Sequence, residues 1–325
     1  MEKVAILIPV YNGAHTLPKC VNSCLNQTYK NIEVVVVIDG GSDNSLVVAS
    51  ELKGKDKRVI LVNKQNEGLP RTRRVAFEHS NAELIYHLDQ DDFIEPDTIE
   101  VLVNTLKETK ADIVVSGSVY ETKEGKYITQ WISNIEGNSR ADYLDAIFQS
   151  KLQPSIWGKL IKRHIYNVID VIDKHTGGED YLANIMMICY NRTIKIVTEP
   201  TLLHHYIVYN DSLTNTMPAE EFFDFTNKIE EILTKSQLED EVLESWSYFR
   251  VIKCWRYYLR RGGKKYLADK VFVNFFYYKY FSLVKKKLTL IEQFELSLYV
   301  FNKYLGYLFS KVYVKSLKLI QKPIN

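Results

Sequence analysis

A chain of 325 residues, 46% hydrophobic and 25% charged, is globular in composition and long enough for one large or two ordinary domains, which excludes a disordered protein. The formal charge of +2 conceals a division, because residues 250–325 hold 17 Lys/Arg against 3 Asp/Glu while the residues before them hold 25 against 37. The same basic segment holds 18 of the 40 aromatics, with runs such as Phe275-Phe276-Tyr277-Tyr278 beside Lys285-Lys286-Lys287, a mixture suited to an anionic membrane surface or a nucleic acid.

Short apolar runs alternate with helix-period segments through the first 116 residues. The N-terminus enters an apolar strand at once, without the flanks of a signal peptide, and no run of about 18 uncharged apolar residues follows, so a cytoplasmic protein with no transmembrane helix is expected. Strands are predicted over Val4–Ile8, Ile32–Ile38, Arg58–Val62, Glu83–Leu88 and Asp112–Ser116, with helices near 16–27, 45–53, 70–79 and 96–108. Thr16, Ser45 and Asp97 suit helix starts. Cys20 and Cys24 share one face of the first helix with Leu17 and Val21, and the four cysteines lack metal-type spacing, so core packing is expected for both.

This β-α-β rhythm predicts an α/β fold with a mostly parallel, doubly wound sheet. Beyond it, Val119–Thr122 and Lys126–Trp131 read as a hairpin around Lys123-Glu124-Gly125. Helices are predicted near 139–150 and 179–191, and Ile194–Val197 and Leu202–Val208 read as two more strands. Pro218 marks a boundary between a catalytic domain, 1–216, and a basic, aromatic-rich helical region, 217–325.

Polar segments fall where such sheets bind ligands, at the carboxyl ends of strands. Pro9-Val10-Tyr11-Asn12 follows the first, Asp39-Gly40-Gly41-Ser42-Asp43 the second, Asn66-Glu67-Gly68 the third and Asp89-Gln90-Asp91-Asp92 the fourth. Three carboxylates within four residues repel one another unless a cation intervenes. Oxygen-only ligands favour Mg²⁺ or Mn²⁺; a solvated acidic turn before the next helix is the plainer reading.

Taken in order, those four segments, with Arg73 and with Gly178-Glu179-Asp180, resemble the family 2 glycosyltransferases of the GT-A fold, over residues 3 to about 215. The resemblance implies a nucleoside-diphosphate-sugar donor, usually UDP-linked, a divalent metal, and inversion at the anomeric carbon. By that likeness Asp39 accepts from the nucleobase, and Pro9, Tyr11, Asn12 and Asn66 line the nucleotide pocket. Arg73 lies near the phosphates, Asp89 faces the ribose or a metal-bound water, and Asp91 ligates the metal that bridges the diphosphate. Asp180 matches the catalytic base, with a helix-dipole role for Glu179 and Asp180 as the plainer alternative. Relatives use a histidine near His204 and His205 as a further metal ligand; these neighbours point to opposite faces of a strand, so only one reaches the site. Trp157 matches a Trp-x-Lys-Leu pattern, with sugar stacking and core packing both open; Glu179 is a candidate on the acceptor or sugar side. The stretch 206–214 resembles a segment that closes over the donor. Gly40 stands where the family more often has a second aspartate, which unsettles the role of Asp43.

The leading expectation is an enzyme that moves a sugar to a glycan or lipid-linked acceptor in lipopolysaccharide, O-antigen or capsule synthesis. Its basic tail would rest on the cytoplasmic face of the inner membrane, or else form a helical subdomain buried against the catalytic domain or in a homodimer. A sugar-nucleotide nucleotidyltransferase would carry a glycine-rich basic loop after the first strand, which Pro9-Val10-Tyr11-Asn12-Gly13 is not. An RNA-binding protein would carry a nucleic-acid motif, and none is found, so no nucleic-acid partner is expected.

Overall fold

In the computed structural model, which describes residues 1–169, 178–209, 221–254, 283–284, 288–302, 304–306, 308–310 and 312, the sheet begins with two strands buried along their whole length. These are β1 (Val4–Val10) and β2 (Ile32–Asp39), continuous apolar runs of the kind that parallel strands covered on both faces require. Helix α1 (Leu17–Leu25) joins them and buries Leu17, Cys20, Val21 and Cys24, so its cysteines are core residues as expected. Then follow α2 (Ser45–Lys55), β3 (Val59–Lys64), α3 (Leu69–Glu78), β4 (Leu84–His87), the two-residue β5 (Phe93–Ile94) and α4 (Thr98–Thr109). Gly68 enters α3 at φ 91°, a conformation that costs glycine nothing.

The second half is less regular. It runs through β6 (Ile113–Thr122), β7 (Tyr127–Trp131), α5 (Arg140–Phe148), β8 (Lys159–Lys162), the short α6 (Arg163–Tyr166), α7 (Glu179–Tyr190) and β9 (Ile196–Val208). Among the described residues the strands form one sheet in the order β3-β2-β1-β4-β8-β6-β9-β5, with β7 on β6. Pairs among β1 to β4 are parallel, β8 is antiparallel to both β4 and β6, and β9 runs parallel to β6 and antiparallel to β5. This mostly parallel, helix-flanked α/β sheet is the GT-A architecture expected.

Two differences have local causes. The two strands expected around 194–208 are one strand of 13 residues, because Pro200 interrupts the apolar pattern without ending the pairing. The register with β6 shifts at Ser116 and Gly117, where a Cβ on Gly117 would lie 2.8 Å from the Pro200 carbonyl oxygen; only glycine tolerates that approach. Strand β8 was not foreseen: four residues framed by lysines carry no strand signal, yet they bridge the two halves of the sheet.

Contacts divide the chain into Met1–Thr216 and Met217–Asn325. In the second unit α8 (Glu221–Ser236) buries Phe225, Ile229 and Leu233, and α9 (Leu243–Tyr248) runs into a π-helical turn, Phe249–Cys254, with Trp246 and Phe249 stacked at 5.7 Å. Helix α10 (Leu290–Phe301) starts with a reciprocal Thr289–Glu292 cap and leaves Leu290 and Phe294 exposed. Among the described residues no helix is long and apolar enough to cross a membrane. The aromatic run 275–278, Lys285–Lys287 and most of the stretch 206–214 lie outside the described residues.

Candidate active site

The loops after β1, β2 and β3 are tied to one another by carboxylates and amides. Asp39 ends β2 buried, its Oδ1 accepting from Lys64 Nζ and from the Glu67 N–H at 2.9 Å, its Oδ2 from the Gly68 N–H at 3.0 Å. Burial opposes its charge, but Lys64 and the Glu67 amide outweigh it and hold the carboxyl below its usual range. Asp43 accepts the Ala14 N–H at 2.9 Å and the Ser45 N–H at 3.0 Å, which ties the start of α2 to the β1 loop. Asn12, at φ 50°, accepts the Ser42 N–H at 2.9 Å. Of the residues expected on the nucleotide, Tyr11 (51% exposed), Asn12 and Asn66 are open to solvent, and Pro9 is buried within β1, paired with Val37. Gly40 turns at φ 69° so close to Asn66 that a Cβ would lie 3.1 Å from its amide nitrogen.

The acid turn after β4 meets α3 and α7 at Arg73. This guanidinium is 5% exposed; it donates to Asp89 Oδ1 at 3.1 Å and to Asp180 Oδ1, and stands 3.6 Å from Glu179 Oε1. Burial works against its charge, and Asp180, Asp89 and Glu179 overcome it, so Arg73 is held protonated more firmly than a free arginine. Asp180 Oδ2 also accepts the Ile156 N–H at 3.2 Å. Asp89 from one expected motif and Glu179 and Asp180 from another, the last 107 positions away, therefore converge on the cation of Arg73. Burial and the neighbouring Asp180 push the Glu179 carboxyl up to about 7 against the pull of Arg73.

Within the acid turn the three carboxylates differ. Asp92 is buried and engaged: Oδ1 accepts the Ile207 N–H at 2.9 Å and Oδ2 meets His204 Nε2 at 3.2 Å, which ties the turn to β9. Among the described residues Asp91 accepts only from its own backbone, and burial, then Asp92 and Asp89, push its carboxyl up to about 7. Beneath lies an aromatic stack in which Trp157, 6% exposed, packs on His204 at 4.3 Å and on Tyr206 at 5.1 Å. The sugar-stacking reading of Trp157 gives way to core packing, because its ring is already covered. His204 and His205 do point to opposite faces, but neither has a ring nitrogen to spare. His204 is fully buried between Tyr86 Oη (2.9 Å) and Asp92, and burial lowers its pKa to about 3. His205 lies between Glu121 (2.9 Å) and Glu95 (2.7 Å), stacked on Phe93. Their expected metal-ligand role finds no open nitrogen beside Asp91.

A family model described as glycosyl transferase family 2 matches residues 5–171, which contain every one of these loops up to β8. The chain belongs to glycosyl transferase family 2. It is 29% identical over 225 residues to the glycosyltransferase GlyA of Streptococcus pneumoniae serotype 4, a match that takes in 66% of this chain and 32% of GlyA, so the chain spans about a third of that relative's length. Its fold resembles that of S. aureus TarS 1–349 in complex with UDP-GlcNAc, with TM-score 0.72 and 16% identity over 97% of this chain and 92% of the other. It also resembles the mannosyltransferase PcManGT of Pyrobaculum calidifontis in complex with GDP-Man and Mn²⁺, with TM-score 0.55 and 14% identity over 96% and 86%.

For this family 2 chain the remaining question is whether the acid turn fits a divalent cation. Among the described residues no three His, Cys, Asp or Glu side chains form a closed metal cage. Hard ions such as Mg²⁺ and Mn²⁺ commonly take one or two carboxylates and complete their shell with water and substrate phosphate, and an oxygen donor such as Asp91, crowded by like charge and without another side-chain partner among the described residues, suits that mode. Three features escaped the sequence reading. Lys64 neutralises Asp39, Lys159 lies 1% exposed with Nζ donating to the Gln153 carbonyl at 2.8 Å, and Gln90 bonds to the β1 loop. Gln90 and Lys159 stand inside quoted motifs and Lys64 just before one, but nothing in the spacing named their partners.

Proposed function

We propose that the chain is an inverting glycosyltransferase that moves a sugar from a nucleoside-diphosphate donor, with uracil as the base, to a hydroxyl of a growing surface glycan or its lipid-linked precursor. The observation that carries this reading is the convergence of Asp89, Glu179 and Asp180 on Arg73, which brings the diphosphate side and the proton-accepting side of one displacement within a single guanidinium's reach. The UDP-GlcNAc named with TarS supports the choice of donor class.

Tyr11 presents an exposed ring to the nucleobase, and Asp39, acceptor-only while ionised, suits a ring N–H. Asp89 holds the ribose side, and Arg73 faces the phosphates with charge that survives burial. Asp91 would hold the divalent cation, in keeping with the Mn²⁺ named with PcManGT, and the ion when bound supplies Lewis-acid stabilisation of the departing diphosphate. The acceptor hydroxyl attacks the anomeric carbon from the face opposite the diphosphate. Its proton passes to Asp180 as the bond from carbon to phosphate oxygen breaks and the nucleoside diphosphate leaves. Donor phosphates that draw on Arg73 loosen its hold on Asp180 and free that carboxylate to accept. The basic, aromatic segment 250–325 would keep the enzyme at an anionic bilayer, each Lys or Arg near the surface contributing about 1 kcal/mol.

Release of UDP from UDP-sugars tests the reading. The expected result is turnover that needs a glycan acceptor, rises with Mn²⁺ or Mg²⁺, and disappears in Asp91→Ala. Metal-independent release at an unchanged rate in that variant refutes the assignment of Asp91.

A further inference from the structure

Gln90 stands between the two aspartates assigned to the donor, yet the function above leaves it without work. Its side-chain amide lies against the backbone of Tyr11: Oε1 accepts the Tyr11 N–H at 2.9 Å, and Nε2 donates to the Tyr11 carbonyl at 3.0 Å. Strand β4 leaves β1 at this end of the sheet, its register stopping at Leu7 opposite His87 with one further bond from the Leu88 N–H to the Leu7 carbonyl. Tyr11 lies just past β1, and the Gln90 amide offers it the donor and acceptor that a neighbouring strand would. The approach is close enough that a Cβ on Gly13 would lie 2.2 Å from Gln90 Oε1.

Other fastenings of this loop come from the β2 side. Asn12 accepts from Ser42, Ser45 Oγ accepts the Gly13 N–H at 2.8 Å, and Asp43 accepts from Ala14. Among the described residues Gln90 makes the hydrogen bonds that join the acid turn to residues 11–14.

We propose that Gln90 is a positioning residue that holds the nucleobase-facing loop in register with Asp89 and Asp91, so that the nucleoside and diphosphate ends of one donor are gripped together. A donor bridges two loops, and fixing their separation beforehand removes an ordering cost that binding would otherwise meet. The inference rests on the proposed function, since it requires that Tyr11 and Asp91 hold opposite ends of the same ligand.

The test compares Gln90→Met, which keeps length and loses both hydrogen bonds, with Gly13→Ala, whose methyl displaces the amide from the other side. In the full chain, UDP, uridine and inorganic pyrophosphate with Mn²⁺ are each titrated calorimetrically, and donor turnover is measured. Loss of two neutral hydrogen bonds is expected to weaken UDP and uridine about tenfold in either variant, to raise donor KM alike, and to leave pyrophosphate binding and kcat within about twofold. The double variant should lose little more than either single one, because both break the same contact. Equal weakening of pyrophosphate and uridine, or a lower Tm with unchanged UDP affinity, overturns the proposal. Wild-type protein that binds no UDP overturns the function instead, which keeps the two failures apart.

Discussion

The loops after β2 and β4 both carry clustered acids at the end of a buried parallel strand, and they treat them in opposite ways. Asp39 and Asp43 are met by Lys64, Ser45 and four backbone amides within the protein, and both carboxyls sit below their usual range despite the opposing effect of burial. Asp91, Asp92 and Glu179 are pushed upward, by burial first and by one another's neighbours second. A carboxylate whose charge is answered inside the fold is a structural anchor or a fixed acceptor. One whose charge is not answered raises the free energy of the resting protein and is relieved by a proton or a cation. On the proposed function, the β2 loop is then the preformed side of the site and the acid turn with α7 the side that ligand would complete.

The sharpest way to break that contrast is at α7. Asp180→Asn keeps the shape of the side chain and its bond from the Ile156 amide, but removes the proposed proton acceptor. Loss of a positioned general base lowers kcat by about 10²–10⁴-fold, and donor affinity should change far less. A near-normal rate refutes the base assignment. A larger loss in Glu179→Gln than in Asp180→Asn moves the role to Glu179, whose carboxyl near 7 is also poised for proton transfer.

The preformed side should fail differently. Asp39→Asn leaves Lys64, 12% exposed, with the half-exposed Glu67 carboxylate at 3.1 Å in place of its buried counter-charge and weakens the acceptors of the Glu67 and Gly68 amides, so the β3–α3 turn loosens. Unfolding free energy should fall by about 1–3 kcal/mol, with a lower Tm in thermal denaturation and a raised donor KM at little change in kcat. Should kcat fall as steeply as in Asp180→Asn with Tm unmoved, the division between the two loops does not hold.

Much of this arrangement was legible in the chain because of what parallel strands demand. Val4–Val10 and Ile32–Asp39 are buried on both faces and so read as unbroken apolar runs, and the polar motifs after them fall at carboxyl ends by topology alone. What was hidden depends on partners distant in sequence. β8 is a strand only because β4 and β6 flank it, and Pro200 masks the continuity of β9 until its pairing with β6 is seen. The same limit applies in the site. Arg73 and Asp180 were each picked out, but nothing in the spacing of residues 107 apart says that one holds the other. Trp157 and His204 satisfy each other in a buried stack, and a pattern cannot distinguish an aromatic that faces ligand from one that faces a neighbour.

The smallest expected effect tests the contrast in the resting protein. Glu179 has its carboxyl raised from 4.5 to about 7, so between those values the folded chain holds a proton that the unfolded chain has released. The folded state then binds more protons than the unfolded one, and stability falls as pH rises through this window, levelling off above about 7. For one group the slope is at most about 1.4 kcal/mol per pH unit, and it opposes the gain that the lowered carboxyls of Asp39 and Asp43 contribute at more acid pH. Glu179→Gln replaces a carboxyl that must be neutral to rest comfortably with an amide that always is. Ligand-free Glu179→Gln should therefore lose less Tm than wild type between about pH 5 and pH 7.5, and should be the more stable of the two at the upper end. Parallel Tm curves across that range mean that Arg73 already answers the charge of Glu179, which moves this residue to the preformed side of the site.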